Sequence, residues 1–299
     1  MNYITYILFR IFVFKISLLP FRALYIFSDF LAFLLNKVLK YRKKVVYNNL
    51  RKCFPEKSEE EIKSIADTFY RHLTDIILET FKGFGMSEKA LCKRYVFTNR
   101  EILEKFYAQK RNVICACGHY NNWEWGGHTL GIYYPSKPFG VYKTIKNTYI
   151  DSYIKRKRTQ RNITLISMEE TLKYMKATHD RPSLYVLLAD QSPSNHKKAI
   201  WVDFFNTKTA CLPGVEVAAK LFDMPVVYFK SSKIKRGYYE VSTTVITEYP
   251  KETQKGEITQ QYMKILEQDI KDLPPYWIWS HRRWKRTYES VFPDNVNNL

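Results

Sequence analysis

The sequence lacks the cysteine pattern of a protein that is held together by disulfides. Its five cysteines form an odd set without framework spacing, and Cys115 and Cys117 lie within an apolar run typical of a strand. We therefore expect reduced thiols in a domain that faces the cytosol. Glycine and proline are spread thinly, with no internal repeat or low-complexity linker. A chain of 299 residues with 45% hydrophobic content can bury one large core, which argues against a disordered protein.

Acidic residues are in deficit. The chain carries 48 Lys and Arg residues against 29 Asp and Glu residues, which gives a formal net charge of +19 and a pI near 9.5. This balance indicates an acidic partner, which can be nucleic acid, an anionic membrane surface or an acidic protein. Charge by itself does not distinguish these three classes.

A clean membrane-spanning run is also missing near the N-terminus. The stretch from Tyr6 to Leu35 is mostly Ile, Leu, Phe, Ala and Val, and it is interrupted by Arg10, Lys15, Pro20, Arg22 and Asp29. A transmembrane helix needs roughly 20 mostly apolar residues, so this segment either crosses once with its charges near the ends or lies in the interface as a bent amphipathic pair. No A-x-A-like cleavage site follows it, which disfavours a removed signal peptide. The alternative is a buried hydrophobic hairpin.

A basic cluster follows this segment between Lys37 and Lys52. The positive-inside rule places such a cluster on the cytoplasmic side of a membrane. We therefore expect an N-terminal membrane anchor over residues 1–36 and a cytoplasmic domain over residues 37–299. The alternative for the cluster is a solvated run of charge.

Apolar periodicity predicts strands that alternate with helices. Ser58 and Glu61 form a capping box, and apolar residues at helical spacing continue from there to Gly83. Further elements are predicted as strands at 112–117, 184–189 and 226–229, a helix after Pro213, an antiparallel arm at 238–247 and a late helix at 257–273. This order predicts an α/β fold with a largely parallel central sheet flanked by helices, together with an N-terminal membrane-associated helical segment.

His119 and Glu124 are the first candidates for chemistry. On a continuous helix, residues five apart lie about 140° from each other, so their side chains would not meet. They can meet if His119 lies in the loop after the strand and Glu124 lies in the first turn of the next helix. The carboxylate would then hold one ring nitrogen and leave the other as a general base. The bland alternative is a histidine and a glutamate that only cap a helix.

A metal site is the rival interpretation of the same region. Cys115, Cys117 and His119 share one face of a strand and offer soft ligands. A zinc site needs a fourth ligand, and no second Cys or His pair follows at suitable spacing. Cysteines in an apolar strand are usually part of the core, so we expect no metal.

The block from Cys117 to Glu124 resembles the H-x4-D/E block of glycerolipid acyltransferases, and in particular the late acyltransferases of lipid A biosynthesis, the lauroyl and myristoyl transferase family. Further blocks of that family follow in order. They are the segment from Tyr47 to Pro55, the stretch from Gly140 to Lys143, Arg158 or the nearby Arg156, Asp190-Gln191 with Phe204-Phe205, and the closing stretch from Tyr276 to Lys285.

The resemblance implies an enzyme of lipid A and lipopolysaccharide biosynthesis that faces the cytoplasm at the inner membrane. It implies acyl carrier protein as the donor and a lipid A precursor as the acceptor. His119 would be the base and Glu124 its orienting partner, while Arg158 or Arg156, with Asp190 and Gln191, would bind substrate. Neither a metal nor a redox cofactor is required.

Other functions stay open at this point. A phospholipid or aminolipid O-acyltransferase would use the same pair of residues. A basic, aromatic-rich chain could also bind nucleic acid, although no recognition motif supports that class and we expect no nucleic-acid partner. A catalytically inactive membrane scaffold is disfavoured because His119 and Glu124 are both present.

Overall fold

The computed structural model describes residues 2–134 and 136–293 of the chain. Met1, at the start of the predicted anchor, and residues 294–299, at the end of the predicted cytoplasmic domain, lie outside the described residues.

The helices occur in chain order along the whole described chain. They are α1 Asn2–Leu18, α2 Phe21–Phe33, α3 Lys43–Cys53, α4 Glu59–Gly83, α5 Glu88–Cys92, α6 Glu101–Ala108, α7 Trp123–Tyr133, α8 Thr148–Arg158, α9 Thr171–Lys176, α10 Gly214–Phe222, α11 Glu257–Asp272 and α12 Tyr288–Val291. A π-helical turn covers Leu34–Val38, and 3-10 turns cover Thr159–Arg161, Pro250–Glu252 and Pro274–Tyr276.

The strands form one large sheet and one separate hairpin. They are β1 Tyr95–Phe97, β2 Val113–Cys117, β3 Lys137–Tyr142, β4 Thr164–Ser167, β5 Ser183–Leu188, β6 Ile200–Phe204, β7 Thr207–Cys211, β8 Val226–Lys235 and β9 Tyr238–Thr247. The seven-stranded sheet has the order β1-β9-β8-β2-β5-β3-β4. Only its β8–β9 pair is antiparallel, whereas β6 and β7 pair antiparallel outside this sheet. The predicted α/β architecture with a largely parallel, helix-flanked sheet is therefore confirmed.

The sheet is buried on both faces, which is the usual state of parallel strands. In β2, Ile114 and Ala116 pack into the hydrophobic cluster that contains residues of α10 and α11. Val113 and Cys115 point the other way, into the cluster that contains residues of α6 and α7. The central strands therefore read as continuous apolar runs in the sequence.

Most of the predicted elements have the expected ends. The capping box of Ser58 and Glu61 begins α4, because the Ser58 hydroxyl accepts the Glu61 N–H and the Glu61 carboxylate accepts the Ser58 N–H. The antiparallel arm is β9, which also pairs in parallel with β1. The strands β1, β3 and β4 and the β6–β7 hairpin were not predicted from the sequence.

The N-terminal segment folds as two helices against the body of the protein. Val13 and Ile16 of α1 and Leu24 and Ala32 of α2 are buried. Large apolar side chains on these two helices stay exposed, namely Tyr3, Ile4, Ile7, Leu8, Ile11, Phe12, Phe14, Leu18, Ile26, Phe30 and Phe33. Within residues 2–134 and 136–293, no helix combines the length and the hydropathy required to cross a membrane. The membrane association of this segment stays a prediction.

Candidate active site

The site lies where two neighbouring parallel strands end. β2 ends at Cys117 and β5 ends at Leu188, and the Ala189 N–H donates to the Cys117 carbonyl at 3.0 Å. His119 and Asp190 therefore follow adjacent strands at the same edge of the sheet. Ligands of open α/β sheets commonly bind at this carboxyl edge.

Asp190 holds the His119 imidazole. Its Oδ1 lies 2.6 Å from Nδ1 of the ring, and its Oδ2 accepts the His119 backbone N–H at 2.9 Å. Trp277 donates its indole N–H to the same Oδ2 at 2.8 Å. Asp190 is buried, and each of its carboxylate oxygens binds at least one of these groups. The arrangement favours the tautomer in which Nδ1 carries the proton and Nε2 is free to accept one.

Each member of the His119–Asp190 pair stabilises the charged form of the other. Burial on its own lowers the pKa of His119, but the nearby Asp190 carboxylate outweighs it and the pKa of His119 is raised above its ordinary value. Burial on its own raises the pKa of Asp190, but His119 and the indole N–H bring that pKa down to about 2. Asp190 is thus ionised at neutral pH and stabilises the protonated imidazole.

Among the described residues, Glu124 makes no hydrogen bond to the imidazole that it was expected to orient. It lies in the first turn of α7, where its carboxylate forms a bidentate ion pair with Arg158 at the end of α8. The shortest of these contacts joins Nη2 of Arg158 to Oε1 of Glu124 at 2.6 Å. The reason is geometric. The pairing of β2 with β5 brings Asp190 to the ring, and α8 brings the guanidinium of Arg158 to Glu124. Glu124 still acts on His119 through space, because its charge helps to raise the pKa of the imidazole.

The predicted substrate-binding residues separate into two groups. Arg158 and Gln191 line the same cavity as His119, and the Gln191 amide lies 3.3 Å from Nε2 of the ring. Arg156 is exposed on α8 and does not line the cavity, so the geometry favours Arg158. Asp190 is buried behind the imidazole, bonded to its Nδ1, and does not line the cavity.

The loop between β2 and α7 is held on both sides. Asn121 has a left-handed backbone with φ of 54°, a conformation that asparagine tolerates, and its side chain donates to the Ser231 carbonyl at 2.6 Å. Its N–H donates to the Tyr276 carbonyl at 3.0 Å. Asn122 caps α7 by accepting the Trp125 N–H at 2.9 Å. Trp123 places its indole edge-on to His119, with ring centroids 5.1 Å apart.

A cavity of about 590 Å³ opens beside His119. Its polar lining includes His119, Glu124, Arg158, Gln191 and Lys143, while much of the remaining lining is apolar, with Phe97, Leu130, Leu165, Val186, Leu187 and Phe229. Phe97, Leu130, Leu165 and Phe229 are buried, so the apolar part extends into the core. A cavity of this kind can hold an extended apolar chain with its reactive end beside a base.

The residues of the rival metal interpretation have other partners. His119 uses Nδ1 to bind Asp190, and the two cysteine thiols contact backbone carbonyls in β2 and β5. Across residues 2–134 and 136–293, no group of three His, Cys, Asp or Glu side chains is arranged to hold a metal ion.

The role of Trp277 is the main feature of the site that sequence reasoning missed. Tyr120, in the loop between β2 and α7, forms an isolated β-bridge with Trp277 of the C-terminal stretch. This contact places the Trp277 indole beside Asp190. In the same stretch, Nε2 of His281 accepts the Ser192 N–H at 3.0 Å and supports the turn after Asp190. Clustered tryptophans read as core or interface residues, and only the resemblance pointed to this block.

A comparison with known proteins matches most of the chain to one family. A family model described as "Bacterial lipid A biosynthesis acyltransferase" matches residues 1–286. The lipid A biosynthesis lauroyltransferase of Escherichia coli (strain K12) is 24% identical over 275 residues, which is 91% of this chain and 89% of the relative. The palmitoleoyltransferase of the same strain is 23% identical over 270 residues, 89% and 86% of the two chains. A lipid A biosynthesis acyltransferase of Haemophilus influenzae is 24% identical over 261 residues, 86% and 82% of the two chains.

Proposed function

The chain belongs to the bacterial lipid A biosynthesis acyltransferase family, and on that premise we propose that it transfers an acyl chain from an acyl carrier protein thioester to a hydroxyl of a lipid A precursor at the inner membrane. The observation that carries the proposal is the imidazole of His119, oriented by Asp190 at the mouth of a largely apolar cavity.

His119 acts as the general base. Its Nε2 takes the proton of the acceptor hydroxyl while the oxygen attacks the thioester carbonyl. Asp190 keeps the proton on Nδ1 and stabilises the imidazolium that forms, as the buried aspartate does in the serine protease triad. The tetrahedral intermediate then collapses, the carbon–sulfur bond breaks, and the imidazolium returns the proton to the leaving thiolate. An ester and a free carrier thiol result.

Glu124 and Arg158 act as a pair beside this base. Arg158 uses Nε and Nη2 to bind Glu124, and across the described residues its Nη1 makes no hydrogen bond. That nitrogen can donate a charge-assisted hydrogen bond to a phosphate of the donor arm or of the lipid head. Glu124 holds the guanidinium in place and adds negative potential near the imidazole.

The basic surface beside the cavity suits an acidic carrier protein. Lys143 lines the cavity, and the last turn of α8 presents Lys155, Arg156 and Lys157 next to Arg158. Complementary charge of this kind speeds association and makes it dependent on salt. The donor is therefore expected to lose affinity as ionic strength rises.

The exposed apolar faces of α1 and α2 supply a surface for the membrane. Side chains such as Ile4, Leu8 and Ile26 are more than 60% exposed although they are large and apolar. Their burial in the headgroup region would remove this area from water, and Arg10, Lys15 and Arg22 can reach anionic lipid. This arrangement favours helices that lie in the interface.

The decisive experiment compares purified wild-type protein with His119→Ala in an acyl transfer assay. The substrates are an acyl carrier protein loaded with a fatty acid and a lipid A precursor in vesicles. We expect His119→Ala to lose about 10²- to 10⁴-fold in kcat, the scale of general-base catalysis. Its fold should be retained, because the side chain lies at the cavity and adds little to the core. Near-normal turnover by this variant would exclude the mechanism. Replacing the acceptor by a phospholipid or an aminolipid tests the alternative acceptors in the same assay.

A further inference from the structure

Glu79 is a buried carboxylate that the proposed reaction does not use. It lies near the end of α4 and is completely inaccessible to solvent. Three donors from three different elements satisfy it. Tyr25 of α2 donates to Oε1 at 2.7 Å, while Asn122 and Tyr239 donate to Oε2 at 2.7 and 2.8 Å. A fourth contact runs through its backbone, because the Trp125 indole N–H donates to the Glu79 carbonyl at 2.7 Å.

The Asn122 amide connects Glu79 to the start of α7. Its Nδ2 donates to Glu79, and its Oδ1 accepts the Trp125 N–H at the helix N-terminus. Both ends of one small amide are thus used, which fixes its orientation. Loss of the carboxylate would leave the amide free to rotate and would weaken the cap. Glu124 lies two residues after Asn122, in the turn that this cap begins.

Tyr25 connects the same carboxylate to the N-terminal helices. Its hydroxyl reaches Glu79 past the β8–β9 turn, where Gly237 has φ of 74°. A Cβ at position 237 would lie 2.0 Å from this hydroxyl, so only glycine allows the approach. Arg236 in this turn also pairs with Asp29 of α2 and Asp75 of α4. The N-terminal helices are therefore joined to the catalytic domain by polar contacts as well as by apolar packing.

We infer that Glu79 is a positioning residue for acyl transfer. It fixes the Asn122 cap, and through the cap the first turn of α7 that carries Glu124 beside Arg158, and it ties this turn to the N-terminal helices through Tyr25. The inference rests on the proposed function. A buried carboxylate is a costly way to fill space, since an apolar residue of similar size would pack there without loss of hydration. Three convergent donors indicate that orientation is what this side chain supplies.

The first test measures kinetics of the full-length protein. Glu79→Leu keeps most of the volume but accepts no hydrogen bond, so all three donors lose their partner. We expect kcat to fall about 10- to 100-fold with each KM changed less than about threefold, because small displacements near a reaction centre act on the chemical step. Tyr25→Phe removes one donor and should lower kcat by about three- to tenfold.

Ser28→Ala is the matched control. Ser28 also joins α2 to α4 through buried hydrogen bonds, to Thr74 at 2.9 Å and to Asp75 at 2.7 Å, but it does not touch Glu79. If the effect passes through Glu79, Ser28→Ala keeps kcat within about twofold of wild type. An equal loss in Ser28→Ala and Tyr25→Phe would overturn the inference, because any loosening of the helix pair would then suffice.

A double-mutant cycle with Asn122→Ser tests the route. Serine retains the capping oxygen but is too short to reach Glu79. If both residues act through one contact, the double variant loses no more than the worse single variant, whereas independent effects multiply. Multiplied losses would contradict the inference.

Hydrogen exchange gives a readout that does not need activity. In Glu79→Leu, amides at the start of α7 should exchange at least about tenfold faster, and in Ser28→Ala they should not change. If the wild-type protein transfers no acyl group, the proposed function is wrong, and hydrogen exchange alone then tests the positioning role of Glu79. Unchanged exchange together with wild-type kcat in Glu79→Leu and Tyr25→Phe would defeat the positioning role even if the enzyme transfers acyl groups as proposed.

Discussion

Replacement of Asp190 by Asn tests the assignment of the orienting carboxylate. In the wild-type site, Oδ2 accepts N–H groups from the His119 backbone and from Trp277, so an asparagine must place its carbonyl oxygen there. Its NH2 group then faces Nδ1 of His119, where Oδ1 lies at 2.6 Å in the wild type. A donor at this place forces Nδ1 to accept and moves the ring proton to Nε2. The base is then held in the wrong tautomer.

The magnitude follows from the equivalent change in the serine protease triad, where the wrong tautomer lowers kcat by about 10⁴-fold. We expect a loss of about 10³- to 10⁴-fold, or about 4 to 5 kcal/mol in the activation free energy. The fold should persist, because the asparagine fills the same volume and keeps both donors of Oδ2 satisfied.

The pH dependence gives the sign of the effect. The proposed mechanism requires neutral His119, and although burial lowers the pKa of His119, the Asp190 carboxylate and the charge of Glu124 raise it above its ordinary value. Wild-type kcat/KM should therefore fall as the pH drops through a value above the ordinary one of about 6.5. In Asp190→Asn, burial remains and the carboxylate charge is gone, so the pKa falls and the acidic limb moves to lower pH. The measurement is kcat/KM from about pH 5 to about pH 9.

Two further variants serve as controls. Asp269→Asn changes a buried carboxylate that binds Lys230 and Tyr228 instead of His119, and it should leave the acidic limb in place. Glu124→Gln should lower the rate by weakening its pair with Arg158, with a smaller shift of the acidic limb, since its charge acts on the imidazole only through space. The reasoning is refuted if Asp190→Asn keeps activity within about tenfold of wild type and Glu124→Gln shows the larger loss and the larger shift.

Three more predictions concern the substrate sites. Arg158→Lys keeps the charge but loses the bidentate fork, so the rate of acyl transfer should fall about tenfold with a raised KM for one substrate. The exposed control, Arg156→Lys, should stay within about twofold of the wild-type rate. Kinetics at several concentrations of each substrate distinguish the two variants, and the opposite pattern would move the assignment to Arg156. Gly127 lines the cavity, and beyond its chain neighbours and its own helix backbone no heavy atom of the described residues lies within 4 Å of the place where its Cβ would be. Gly127→Leu should therefore fill part of the cavity and shift kcat/KM towards shorter acyl donors, and an unchanged chain preference would remove Gly127 from the acyl site. Combined Leu8→Gln and Phe14→Gln removes two side chains that are each 63% exposed, and it should lower vesicle binding in a flotation assay by about tenfold or more. Equal flotation of this variant and the wild type would remove α1 from the membrane surface.

Local patterns in the sequence were sufficient to predict α4 and the strands β2, β5, β8 and β9 of the sheet. Two examples are the capping box of Ser58 and Glu61 and the apolar run before Gly118. Both can be recognised from the sequence because each depends only on residues nearby in the chain. The order of motifs was also sufficient for the family, because each block can be read without knowing what it contacts. The strands β1, β3 and β4 were missed because their formation depends on pairing with other strands and not on a local pattern.

Tertiary structure alone decided which carboxylate holds the imidazole. Glu124 is five residues from His119 and Asp190 is 71 residues away, yet the parallel pairing of β2 with β5 brings the distant residue into contact. Glu79 shows the same limit, since in the sequence it is one more residue of a long helix. It becomes the meeting point of α2, the active-site loop and β9 only after the chain has folded. The sequence by itself determined which residues were available for acyl transfer, and strand pairing and helix packing decided their partners, because hydrogen bonds form between neighbours in space.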